Sequence, residues 1–435
     1  MSIVLPHSVN YTEGLPSLPE NTVQIPIVAS PVNLQTATPG QQIQFDLLNR
    51  GFLVPDSMYI RYTNTIVTTG TATSSSFLIG CPVYTPFNRV DVQVGSQTID
   101  TIQNYNVLMH MLSNTTLDIA QKYGQQATFG YLTYNGTGAG SPTVPNLEQL
   151  DGREILWAAG TTSFSVGAPL MSVLSNSEKL IPLFAMPQIR VVLTMEALGA
   201  MFAVGAGSQA FQSCTLSNIE LCYKVVDMGG AVEEMVRSMG DKIYIKSQSF
   251  STATQSVASG TQGYVELVYN QRYASVKSLF AINGGASASS VNKQFDSYDI
   301  TSNNGDYSFT IGGVIYPQKP ISTVVNRAGG LMELKSAMGS IYDKNNSLSI
   351  NTVEYSYISA NTTTGTAPAK FYIGTSVEKL DSDSLLTGVS TANSAISYRV
   401  NIGTATSQQH NCALIVNYDA LWEVDTVNRQ VALKC

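Results

Sequence analysis

The sequence predicts an all-β protein: two tandem eight-stranded jelly rolls (β-sandwiches) joined by a short helical hinge, each with a small helix and long projecting loops. Three observations carry this reading. Short runs in both halves alternate apolar and polar residues, as Ile43, Phe45 and Leu47 do with Gln44 and Asp46. The same order of elements occurs twice within 435 residues. Near the midpoint the period changes: Val232, Met235, Val236 and Met239 recur at i, i+3, i+4 and i+7, on one helical face.

Residues 1–38 read as an extended arm, because Pro6, Pro16, Pro19, Pro26 and Pro31 block helix interiors and central strands. The first jelly roll is assigned to 39–227. After Ile43–Leu47, strands are expected around Met58, Ile60 and Tyr62, and around Val90, Val92 and Val94, with a polar loop from Thr68 to Ser76 between them. Gly95 and Ser96 form a turn, and a helix is expected from about Gln103 to Leu112, burying Val107, Leu108, Met111 and Leu112. The next fifty residues, to about Thr162, are rich in Gly, Thr and Asn and read as a long loop. Strand pattern resumes at Phe164, Leu180–Phe184, Ile189–Leu193 and Ile219–Val226. The hinge takes 228–241, with Glu233 and Glu234 in the first helical turn, Arg237 in the last, and Gly240 as a stop.

The second jelly roll, 242–435, repeats the order. Gly260–Asn270 echoes Gly40–Asn49, Ala274–Asn283 echoes Ser57–Val67, and Phe309–Gly313 echoes Asp91–Gly95. A helix with Leu331, Leu334 and Met338 on one face echoes the first helix, and Tyr398–Ile402 echoes Ile189–Leu193. Each half closes on an apolar strand ending in Val-Asp, at Val226-Asp227 and Val424-Asp425. Any single echo is weak, but the shared order is hard to reach by chance.

Composition narrows the function. Charged residues make up 12% of the chain and the net charge is −7, with no Lys/Arg cluster to hold a phosphate backbone, so sequence-specific nucleic-acid binding is not expected. No apolar run approaches the ~20 residues of a membrane span. The opening Met-Ser-Ile-Val-Leu-Pro-His lacks a signal-peptide pattern, so Asn-x-Ser/Thr at Asn10, Asn114, Asn135, Asn345 and Asn361 reads as compositional. Cys81, Cys214, Cys222, Cys412 and Cys435 are odd in number and contain no C-x-x-C, which reads as reduced thiols.

No catalytic, cofactor-binding or metal site is expected. His7, His110 and His410 lie far apart, in no recognisable catalytic motif. Gly205-Ala-Gly-Ser-Gln-Ala210 matches G-x-G-x-x-A, but strand-like residues follow, so no helix N-terminus is available for a pyrophosphate. Asp381 and Asp383 fall short of the six to eight oxygens of a Ca²⁺ site. Glu233 and Glu234 read as helix-start charge.

The local wording resembles a known family. Tyr307-Ser-Phe-Thr-Ile-Gly-Gly-Val-Ile-Tyr-Pro-Gln-Lys-Pro-Ile321 is similar to a segment in the second jelly rolls of polinton-like virus, adintovirus and virophage capsid proteins. Ser177–Phe184 with Ile189–Thr194 resembles the late strands of their first jelly roll, and Ile245–Phe250 with Ala274–Phe280 the opening of their second. These belong to the double jelly-roll major capsid proteins of the adenovirus and membrane-containing-phage lineage. The resemblance covers about residues 35–435 and implies a virion protein: homotrimeric, pseudo-hexameric capsomers tiling an icosahedral shell. It implies partners too: other copies of the chain, neighbouring capsomers, penton and minor capsid proteins, and an internal membrane reached by the arm. Loops 113–162 and 284–305 would form an outward tower.

Two other readings stay open at this point. A carbohydrate-binding or adhesive double sandwich would gather exposed aromatics at a loop tip, whereas the 22 tyrosines are spread through expected strands. A double-sandwich hydrolase would need clustered carboxylates, which the 30 acidic residues do not visibly form.

Overall fold

Period-two alternation becomes strand in both halves of the computed structural model. It describes residues 19, 21–69, 76–78, 81–117, 121, 126–129, 160–204, 210–238, 240–285, 297–301, 305–322, 325–339, 348–350, 355, 370–379, 386–406 and 409–434. The first half runs β1 (Val23–Ala29), β2 (Gln42–Asp46), β3 (Phe52–Thr69), β4 (Ser76–Leu78), β5 (Phe87–Val94) and β6 (Gln97–Gln103). After a helix come β7 (Gly160–Pro169), β8 (Ile181–Pro182), β9 (Ile189–Met195), β10 (Phe202–Val204) and β11 (Ala210–Asp227). One sheet has the order β1-β11-β3-β7, with β8 beside β3; the other has the order β2-β9-β5-β6; β4 and β10 form a small ribbon. Tyr62 of β3 meets Phe87 of β5 edge-on at 5.5 Å, joining the two sheets through their inner faces.

The second half runs β12 (Lys242–Val257), β13 (Gly263–Tyr269), β14 (Val276–Gly285), β15 (Asp306–Ile311), β16 (Val314–Ser322), a helix, β17 (Ile373–Ser376), β18 (Ile396–Ile402), β19 (His410–Asp425) and β20 (Gln430–Lys434). Its sheets read β12-β19-β14-β17, with β20 beside β19, and β13-β18-β15-β16. Place by place, β1, β11, β3 and β7 correspond to β12, β19, β14 and β17. Likewise β2, β9, β5 and β6 correspond to β13, β18, β15 and β16. Tyr398 of β18 and Asn283 of β14 hydrogen-bond at 3.3 Å, tying the second pair of sheets together. Every sequence echo between the halves falls on corresponding elements.

The stretch expected to be an arm contributes an edge strand. Val23–Ala29 pairs antiparallel with β11, from Val23 opposite Asp227 to Ala29 opposite Leu221. Pro26 is tolerated there because the last strand of a sheet has one side without a ladder to break. The first helix spans Tyr105–Thr116, later and longer than expected. Gln103 still belongs to β6, and Asn104, at φ 49°, turns the chain. Leu108 and Met111 are buried as expected, and Val107 and Leu112 are half-buried. The second helix spans Arg327–Ala337; the Asn326 side chain accepts from the Gly329 N–H at 3.0 Å, and Leu334 is buried with Leu331 and Met338 packed beside it.

The hinge helix spans Gly230–Ser238. Val232 and Val236 pack against the core, whereas Met235 is exposed. Among the described residues of the expected face the packing rests on one i, i+4 pair, and Met239 lies outside the described residues. Arg237 lies 5.4 Å from the Phe184 ring centre. Most of the long loops at 113–162 and 284–305, and residues 70–75 of the polar loop, lie outside the described residues. Within the second of these loops, 297–301 is buried, with the Tyr298 N–H donating to the Asn283 carbonyl at 3.0 Å.

Gly51 and Gly40 give a stability test. Both hold positive φ, +67° and +82°. A Cβ on Gly51 would lie 2.8 Å from Val225 Cγ1 and 2.8 Å from the Val226 carbonyl oxygen, whereas one on Gly40 meets nothing within 4 Å. Gly40→Ala should cost about 1 kcal/mol, the left-handed penalty alone, and Gly51→Ala about 1–3 kcal/mol more. Equilibrium denaturation of the two variants checks this; equal losses would mean that β11 does not press on the turn.

Candidate assembly site at the seam between the sandwiches

The residues weighed for chemistry are not brought together. His110 is buried in the first helix, its Nε2 2.9 Å from Asn114 Nδ2. His410 is buried at the start of β19, its ring centre 6.1 Å from that of Tyr298, and burial lowers its pKa. His7, residues 205–209 of the glycine motif, Asp381, Asp383 and Cys435 lie outside the described residues, while Ala210 opens strand β11. Cys81, Cys214, Cys222 and Cys412 are buried and form no disulfide among the described residues, and burial pushes the thiols of Cys214 and Cys412 up to about 12. Glu233 and Glu234 sit on the hinge helix. Among the described residues no group of three or more His, Cys, Asp or Glu could hold a metal ion, and no helix is long and apolar enough to cross a membrane.

The structure instead concentrates buried polar groups where the two sandwiches meet. Asp100, on β6 of the first, is 4% exposed. Its carboxylate accepts from Ser249 Oγ of β12 at 2.9 Å and from the Tyr418 hydroxyl of β19 at 3.0 Å. The backbone N–H groups of Val173 and Thr101 also donate to it. Desolvation pushes the Asp100 pKa up, and the four donors pull it back only in part. Two residues along β12, Ser247 donates to the Val173 carbonyl. Strand period two therefore places both serines on the side that faces the first sandwich.

Backbone and charge extend the seam. The Glu178 N–H donates to the Lys246 carbonyl at 3.1 Å, Asn176 Nδ2 donates to the Gln248 carbonyl at 3.2 Å, and Lys246 Nζ lies 3.2 Å from Glu178 Oε1. Beside the first helix, Asn114 Nδ2 donates to the Tyr372 hydroxyl at 2.9 Å and the Ser349 N–H to the Thr115 carbonyl at 3.0 Å. Two clefts flank these contacts. One of about 360 Å³ lies between Asn106 and Glu196 on one side and Thr254 and Asn411 on the other; one of about 490 Å³ lies between the Gly95 turn and β20. Lys242 and Lys434 both pair with Glu423 beside the second cleft and hold its carboxyl below the usual range.

None of the seam residues was singled out from sequence as a contact between the sandwiches. Serines alternating along a strand look the same whether they face water or another domain, and Asp100 has no motif around it. A wider trough of about 650 Å³ lies on the outer face of β3, β7 and β11, lined by Tyr59, Arg61, Ser165, Gly167 and Glu220 among others. The site as a whole is a docking surface, with polar groups paired across it and no nucleophile–base pair.

No family model and no curated protein matches the sequence. Solved structures do match over their full length. The Faustovirus major capsid protein has a TM-score of 0.63 at 10% identity, with 97% of this chain and 92% of that chain covered. A chain of the PBCV-1 virus capsid has a TM-score of 0.60 at 10% identity, with 97% and 98% covered. The mavirus major capsid protein has a TM-score of 0.54 at 13% identity, with 100% and 95% covered. At such identities the likeness is one of fold, and the fold it shows is the double jelly roll.

Asp100 makes the seam testable. Asp100→Ala strands two hydroxyls and two N–H groups and should cost about 1–3 kcal/mol. Asp100→Asn keeps the shape and does not titrate. Because the folded state raises the Asp100 pKa, the native protein binds this proton more tightly than the unfolded chain. Stability from this group is therefore present below the ordinary carboxylate pKa of about 3.9 and is lost as pH rises through the raised value. Denaturation of wild type and Asp100→Asn at pH 4 and pH 7 should show the variant gaining on wild type at the higher pH. A difference independent of pH would contradict the burial of this carboxylate.

Proposed function

We propose that this chain is a viral major capsid protein, a structural and non-enzymatic subunit residing in the virion. The observation that carries the reading is the repeated sheet order: two sandwiches of one topology, docked side by side in one chain. Three such chains around a threefold axis would present six like units, and six-sided blocks tile a surface with few distinct contacts. Fold likeness to capsid proteins over nearly the whole of both chains supports the same reading.

In this reading the units are 39–227 and 242–435, linked by 228–241, with β1 completing the first sheet. The homotrimer is a pseudo-hexameric capsomer of an icosahedral shell, meeting neighbouring capsomers, penton and minor capsid proteins. The loops at 113–162 and 284–305 form the outward tower. The residues before β1 run beneath the shell, against neighbours, a minor protein or an internal membrane. No sequence-specific nucleic-acid contact is expected from a chain of net charge −7.

Size-exclusion chromatography with light scattering, followed by electron microscopy, tests this. The expected result is a trimer with a hexagonal outline; a stable monomer that binds glycans would favour an adhesive double sandwich instead. Deleting residues 1–18, which stops short of β1, should leave the trimer intact and impair assembly of shells. If that deletion dissolves the trimer, the role given to the arm is wrong.

A further inference from the structure

The cleft of about 360 Å³ beside the seam is lined mainly by side chains that hydrogen-bond without carrying charge. On the first sandwich these include Asn88, Asn104 and Asn106, and on the second Thr254, Ser256 and Asn411. Irregular backbone displays two of the asparagines. Asn88 sits where the pairing of β5 with β9 slips between Phe87 and Arg89, and a bulge of this kind re-aims a side chain. Asn104 holds φ 49° ahead of the first helix, yet its side chain makes no capping bond there. Such backbone is uncommon outside glycine, and it collects at binding sites.

The facing wall is regular. Strand pairing sets Thr254 of β12 opposite Ala413 of β19, and Ala413 opposite Ile282 of β14; one period along, Ser256 stands opposite Asn411. Ser256 Oγ donates to Asn411 Oδ1 at 2.7 Å, which fixes the direction of that amide. Ile282 and Ala413 are buried, so the cleft has a small apolar floor inside its polar rim. Glu196 is the one carboxylate in the lining. Its oxygens accept from the Ala197 N–H at 2.9 Å and from Asn106 Nδ2 at 3.0 Å, and each has a second lone pair.

We infer that this cleft binds a neutral saccharide, one pyranose ring held between the two sandwiches. The chemistry of the lining selects it. An anion needs cationic donors, and the described residues of the cleft include no Lys or Arg. A divalent cation needs more charged oxygen than one carboxylate supplies. A sugar hydroxyl both donates and accepts, and so do the amides and hydroxyls that face it here. The carbon face of the ring would lie on Ile282 and Ala413. Ligand pockets run from roughly 300 to 1,000 Å³, so this one is sized for a single ring rather than a chain. Its place in the fold agrees. Thr254 lies twelve residues along β12 from Lys242 and the hinge, about 40 Å away. Ile282 lies near the end of β14, where the 284–305 loop begins. The inference rests on the capsid reading for its exposure: there, this end faces outward, where a virion meets a cell surface.

Saturation-transfer difference NMR on the purified protein tests this. The probes are the methyl glycosides of galactose, glucose, mannose, fucose and N-acetylglucosamine, with N-acetylneuraminate as an anionic comparison. At least one neutral glycoside should receive saturation, strongest on the protons of one ring face, and N-acetylneuraminate should receive less. Thr254→Arg, at an exposed strand position, fills the cleft, and Asn88→Ala removes one amide. Each should weaken binding about tenfold or more. Tyr59→Ala, in the 650 Å³ trough, should bind as wild type does. If Asn88→Ala loses its folded circular dichroism spectrum, Thr254→Arg alone decides. No transfer to any neutral glycoside, transfer unchanged in Thr254→Arg, or transfer lost only in Tyr59→Ala would overturn the inference. So would preference for N-acetylneuraminate. Light scattering on the same samples separates the two readings. Trimers that bind no sugar overturn this inference alone, whereas monomers that bind in the cleft overturn the capsid reading and keep the site.

Discussion

A carboxylate sealed from water must find donors, and Asp100 finds two of its four on the second sandwich. Ser249 and Tyr418 reach it only when β12 and β19 lie against β6 at one angle and one offset. Apolar contact alone would tolerate sliding, because it is non-directional. Hydrogen bonds to a buried charge do not tolerate it, and leaving them unmade costs more than making them gains. The polar seam therefore turns two linked domains into one body of fixed shape.

The remaining architecture repeats one plan on either side of that seam. Sheets of the same order give both units the same plan, with β6 at the seam in the place of β16 and β12 at the seam in the place of β1. The hinge helix contributes little to rigidity, since it rests on Val232 and Val236 and leaves Met235 in water. What it does is bridge the end of β11, second in its sheet, to the start of β12, at the edge of the other. Pairing of Arg50 with Asp227 and of Lys242 with Glu423 closes the two strand ends by surface charge, a small contribution to stability.

Much of this was legible in the residues. Period-two alternation found the strands with one buried face, and the ordered echoes, down to the Val-Asp endings of β11 and β19, found the duplication. What escaped had a physical cause in each case. β1 was hidden by Pro26, which argues against a central strand but is compatible with an edge. The start of the first helix was misplaced because Gln103 pairs in β6 and a left-handed Asn104 makes the turn. The seam escaped because its chemistry is long-range: Asp100, Ser249 and Tyr418 are far apart in sequence, and nothing local marks a serine as facing a domain rather than water. Absent a nucleophile–base pair or metal cluster among the described residues, function had to be read from surfaces, which only the folded chain displays.

The central claim is that the seam holds the two sandwiches as one body. Pulsed electron–electron resonance on labelled chains diluted into an excess of unlabelled protein measures this directly, with spin labels at Leu48→Cys and Tyr264→Cys, both exposed sites, in a Cys435→Ser background. The account predicts a single narrow distance distribution that Asp100→Ala broadens. A broad distribution in the protein with Asp100 intact would contradict it.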